Sequence, residues 1–127
     1  MENKNELVLS SLNHTWLLDL DGTIVKHNGY KEDGEDILLD GALDFLKSIP
    51  EKDMIIFITS RSEDVKEMTE RFLKEKRIKY DHIIYNAPFG ERILVNDNKP
   101  SGLTTGYAVS TQRDKWCNLK VIIDEEK

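Results

Sequence analysis

The sequence predicts an α/β fold on a central parallel sheet, and three observations carry the prediction. Residues 16–18 and 54–58 are uninterrupted apolar runs, as strands covered on both faces are. The segments that follow each run repeat their apolar residues at helical spacing. Strand and helix therefore alternate, the order that gives parallel strands joined by crossover helices.

Trp16, Leu17 and Leu18 lead into Asp19-Leu20-Asp21-Gly22-Thr23, so the first strand closes on a glycine turn. Residues 26–35 mix charges with Asn28, Gly29 and Gly34 without a period, and read as a loop or small flap. Asp40 is expected to cap a helix that aligns Ala42, Phe45, Leu46 and Ile49, with Pro50 beyond its end. The second strand is Met54-Ile55-Ile56-Phe57-Ile58, ending at Thr59-Ser60-Arg61. Ser60 or Ser62 is the expected cap of the next helix, where Val65, Met68, Phe72 and Leu73 form the apolar stripe and Lys76 marks the end. Further strands are expected at 82–85, 93–95 and 107–109, with an edge strand at 121–123.

With 127 residues, 39% apolar and 33% charged, the chain fits a single domain spanning 1–127, with no linker or repeat to divide it. The net charge of −6 shows no basic excess, so neither nucleic acid nor a membrane surface is expected as a partner. Cys117 is the only cysteine, which excludes an internal disulfide and a cysteine metal cage and suits a reducing, cytoplasmic setting. No apolar run approaches the ~18 residues of a membrane span, and MENKNELVLSSL lacks the apolar core of a leader. His14, His27 and His82 have no ligand spacing and are assigned no chemistry.

Ligands of parallel sheets gather beyond the carboxyl ends of the strands. Three apolar runs end there in reactive side chains: Asp19 and Asp21 after the first, Thr59 and Ser60 after the second, Asn96 and Asp97 after residues 93–95. Each has a plainer role as well, because Asp and Gly form turns, Thr and Ser cap helices, and Asn-Asp-Asn-Lys-Pro-Ser-Gly is turn-forming throughout.

DLDGT at 19–23, ITSR at 58–61 and VND at 95–97 resemble, in type and order, the haloacid dehalogenase-like superfamily of phosphatases. That resemblance implies a three-layer sandwich with a doubly wound parallel sheet, strand order 5-4-1-2-3, and no cap domain. It implies a Mg²⁺-dependent phosphomonoesterase acting through an aspartyl-phosphate on a small phosphorylated metabolite, a sugar phosphate first. Asp19 would be the nucleophile and Asp21 the general acid/base. Asp19, the Asp21 carbonyl and Asp97 would bind the metal, hard oxygens suiting Mg²⁺. Thr59 and Ser60 would bind phosphate, with Arg61 helping to orient Thr59, and Thr23 would hold the turn through backbone hydrogen bonds. The superfamily's usual lysine is replaced by Ala87, which leaves Lys99, ranked first, or Arg92 to supply the cation. A cap-less site either stays open or is closed by a second copy, so a homo-oligomer is allowed. The rival readings are a weakly active binding or regulatory module on the same fold and a phosphotransferase or mutase.

Overall fold

The structure is a computed structural model, which describes residues 5–127. In chain order it holds β1 (Glu6–Leu9), β2 (Thr15–Asp19), α1 (Gly29–Glu32), α2 (Ala42–Ser48), β3 (Met54–Ile58), a 3₁₀ turn (Glu63–Val65), α3 (Lys66–Glu75), β4 (His82–Ile84) and β5 (Lys120–Ile123). Both sheets are parallel, one of three strands in the order β2-β3-β4 and one of two strands pairing β1 with β5.

The apolar runs of β2 and β3 pair from Thr15 with Met54 to Asp19 with Ile58. β4 follows from Ile56 with His82 to Ile58 with Ile84. This register sets the ends of β2 and β3 side by side, and the Thr59 N–H extends the ladder by donating to the Ile84 carbonyl at 2.9 Å. At the opposite end Asp53, buried, fastens the two strands: its carboxylate accepts from the His14 backbone N–H and the Trp16 indole, each at 3.0 Å.

Helices α2 and α3 form where the apolar spacing places them. α2 buries Ala42, Phe45 and Leu46, and α3 buries Thr69 and Leu73, so their faces join Ile55 and Phe57 of β3 in one core. Trp116 closes that core against Phe45, ring centroids 4.7 Å apart, while Trp16 meets Phe45 edge-on at 5.5 Å. Gly41, not Asp40, holds the N-cap position of α2, at φ 88°, where a side chain would be strained. Ser62 precedes the 3₁₀ turn but makes no side-chain cap. Residues 26–35 do contain a short helical turn, α1.

The α/β class with parallel strands holds, whereas the five-stranded doubly wound order does not form. β2 lies at the edge of its sheet and not in the middle. Residues 93–95 and 107–109 form no strand; Ile93 and Val95 are 84% and 89% exposed. Each is only three residues long, and between them local backbone bonds, Gly102 N–H to the Lys99 carbonyl and Lys99 N–H to the Leu103 carbonyl, hold a turn at 99–103. β5 covers the expected 121–123 but pairs with β1, a strand its polar surroundings conceal. Among the described residues, no helix is long and apolar enough to cross a membrane.

Candidate functional site

Asp19 is the last residue of β2, and the chain then turns around Leu20, which is fully buried. The Leu20 carbonyl accepts from the N–H groups of Thr23, Ile24 and Val25, and Gly22, at φ 83°, donates to the Val25 carbonyl at 2.7 Å. Burial of Leu20, Ile24 and Val25 thus anchors the turn while Asp19 and Asp21 stand at its rim. The Thr23 hydroxyl donates to the Asp19 carboxylate at 2.9 Å, so it holds this side chain and not the turn's backbone.

The two carboxylates have different arginine partners. Asp19 accepts from Arg92 at 2.8 Å, and the same guanidinium nitrogen donates to the Ile58 carbonyl at 3.1 Å. Both side chains of this pair are more than a third exposed, so water screens it. Asp21 instead takes a two-pronged contact from Arg61, Nε at 2.9 Å and Nη2 at 2.8 Å. Arg61 is buried and also grips Asp36, at 2.7 and 3.1 Å, and the Thr69 hydroxyl at 2.9 Å. Tyr30 of α1 covers it, the ring centroid 4.2 Å from the guanidinium carbon.

Asp36 reaches Arg61 because residues 37–39 pair with 24–26, through Lys26 N–H to the Ile37 carbonyl and Leu39 N–H to the Ile24 carbonyl. Burial disfavours the charge on Arg61, but hydrogen bonds and Coulomb attraction from Asp21 and Asp36 outweigh it and lift its pKa above the ordinary arginine value. Two carboxylates share this cation, so the cluster of Arg61, Asp21 and Asp36 is one cation short, and Arg92 balances only Asp19.

The other expected site residues fall in two groups. Thr59 stands at the end of β3, but it is buried, and its hydroxyl accepts the Arg61 backbone N–H at 3.1 Å. Ser60 is half-buried beside it. Lys99 and Asp97 lie on the exposed 96–105 loop, where Thr105 hydrogen-bonds to the Asp97 carbonyl and Asn96 contacts Thr105. Arg92, ranked second, is therefore the cation at Asp19, and Lys99 is not. Among the described residues no three acidic, His or Cys side chains gather as metal ligands, so the set of Asp19, Asp21 and Asp97 does not assemble. The reason is the missing strand at 93–95, which was to deliver Asp97 to the rim. What remains at the rim is the Asp19 carboxylate, one oxygen of which accepts from Arg92 and the other from Thr23.

Asp36 and Tyr30 were not foreseen. They sit in a charged, aperiodic stretch, and only the pairing of 37–39 with 24–26 brings them to the site.

No family model matches the chain, and no curated protein matches it. Two solved structures are similar to it, "Structure of Pnkp1/Rnl/Hen1 complex" and "Structure of the Pnkp1/Rnl/Hen1 RNA repair complex". Each is 28% identical with a TM-score of 0.51 over 65% of this chain. The chain spans only 31% and 28% of the length of those chains.

These neighbours correct the functional expectations. Membership of the haloacid dehalogenase-like superfamily is not what they point to, nor is a phosphomonoesterase for a small metabolite, a hydrolase working without nucleic acid. The rival readings on that fold gain no support either. The motif misled because a strand closing on Asp-x-Asp-Gly-Thr also serves as an anchored turn, whose second carboxylate here is held by the buried Arg61. The net charge misled because it averages over the molecule and does not show that individual arginines, Arg61 and Arg92, stand among the carboxylates of this rim.

Proposed function

We propose that this chain is a module that recognises a phosphorylated end of an RNA strand. The observation that carries the reading is the Arg92–Asp19 pair at the end of β2, an exposed guanidinium next to an exposed carboxylate, taken with the similarity to chains of an RNA repair complex. A terminal phosphate approaching Asp19 meets the fork of Arg92, whose geometry matches phosphate oxygens. Mg²⁺ belongs to the proposal as the ion that the Asp19 carboxylate and the Asp21 carbonyl would hold; it would reduce the repulsion between carboxylate and phosphate. Arg61 keeps Asp21 in place and takes no part in contacting RNA, because it is already saturated by Asp21, Asp36 and Thr69. Asp19 and Asp21 are the residues proposed to face the phosphate, with Ser60 at its side.

The overall charge of −6 shapes this reading. It disfavours indiscriminate binding along a polyanion and leaves the end of the strand as the part the site can hold.

The test is fluorescence anisotropy with one short RNA carrying a 5′-phosphate, a 3′-phosphate or hydroxyls at both ends, with Mg²⁺ and with chelator. One phosphorylated form should bind at least about tenfold tighter than the hydroxyl form, a difference of ~1.4 kcal/mol, and Arg92→Ala should abolish the preference. Equal binding of all three RNAs would end the proposal.

A further inference from the structure

The loop at residues 111–115 lies against the turn that carries Asp19 and Asp21, and no role described so far uses it. The Asp114 N–H donates to the Gly22 carbonyl at 2.8 Å, and the Asp114 carboxylate accepts the His27 N–H at 2.6 Å. The next anchor is Trp116, buried in the core beside Gly41 and Phe45. The loop is therefore fixed on the C-terminal side of Arg113, to the rim through Asp114 and to the core through Trp116.

Arg113 runs across Gly22. A Cβ on that glycine would lie 3.3 Å from the Arg113 Cγ and 3.9 Å from its Nε. The glycine thus serves two ends, the positive φ of the turn and the close passage of the arginine stem. The side chain itself is exposed, and among the described residues no carboxylate lies within ion-pair distance of it. This sets Arg113 apart from Arg61 and Arg92, each of which is paired with acid. Lys26, on the same side of the turn, is also occupied, by Asp33 at 3.0 Å.

An exposed guanidinium with no ion-pair partner among the described residues, on a stem that crosses the turn presenting Asp19, is a site for an anion from outside. We infer that Arg113 contacts a phosphodiester inside the RNA strand, next to the terminal phosphate at Arg92, and so makes the module prefer an RNA chain to a mononucleotide. This inference rests on the proposed recognition of a phosphorylated RNA end. It assigns Arg92 to the end and Arg113 to the strand.

The experiment compares wild type with Arg113→Gln and Arg113→Lys, using a phosphorylated mononucleotide and a hexamer with the same phosphorylated end, over a series of salt concentrations. In Arg113→Gln the hexamer should weaken by about tenfold more than the mononucleotide, and the slope of log K against log salt for the hexamer should fall by about one. Arg113→Lys should restore most of the slope, and thermal melting of each variant checks that it is folded. Equal weakening of both ligands, or an unchanged hexamer, overturns the role of Arg113 and leaves the end-recognition reading standing. A wild type that binds neither ligand overturns both.

Discussion

Arg61 is the residue on which the geometry of Asp21 depends. It serves two carboxylates at once from a buried position, and truncating it leaves Asp36 buried and charged without a partner. Breaking a buried pair of this kind costs about 3–5 kcal/mol. Arg61→Met should therefore lower stability by an amount in that range in urea unfolding, and Asp36→Asn by less, since it leaves the Asp21 contact intact. A loss below ~1 kcal/mol for Arg61→Met would mean that the cluster is solvated. Tyr80 and Tyr85 make a second residue-scale case. Burial first, then Glu70, which accepts from the Tyr85 hydroxyl at 2.9 Å, raises both phenol pKa values above the ordinary 10.0. Because the folded-state values are the higher ones, this contribution to stability is complete below pH 10 and is lost as pH rises beyond it. Tyr85→Phe should flatten the alkaline fall in melting temperature, with phenolate absorbance following the titration. Burial also pushes the Cys117 thiol pKa up.

At the scale of elements, the runs that the sequence marks plainly are those that form strands and helices on the core, although Leu17 of β2, expected to be covered, is 48% exposed at the sheet edge. Ile55 and Phe57 of β3, Phe45 and Leu46 of α2 and Leu73 of α3 lie in the core that their spacing implies. Residues 93–95 have the same apolar character but no partner strand, and composition alone cannot tell the two cases apart. The structure's contrast is measurable. Ile55→Ala should cost roughly 2–4 kcal/mol, whereas Ile93→Asp or Val95→Asp should stay within about 0.5 kcal/mol. A loss above ~2 kcal/mol at Ile93 would show that this run is packed in solution. The candidate site divides the same way. Asp19, Asp21 and Thr59 were legible because each ends a plain apolar run, and β2 pairs with β3 in register. Arg61 was read only as an aid to Thr59; its grip on Asp21 and Asp36 depends on a loop folding back, which leaves no period in the sequence. The placement of Asp97 failed together with the strand that was to carry it.

For the molecule as a whole, the pairing of β1 with β5 joins Glu6–Leu9 to Lys120–Ile123, from opposite ends of the described chain. A bond this distant in sequence forms late, because the loop it closes must be ordered first. During synthesis β1 waits for residues 120–123 to emerge, and the three-stranded sheet around β3, whose strands are closer in sequence, can assemble before it. A chain stopped after Leu119 should keep amide protection in β2 and β3 and lose it at Leu7–Leu9, as hydrogen exchange would show. A free peptide of residues 120–127 should then dock beside β1 and restore that protection. The start of β5 is thus a natural place to split this chain into two complementing pieces, and with it a means of switching its assembly from outside.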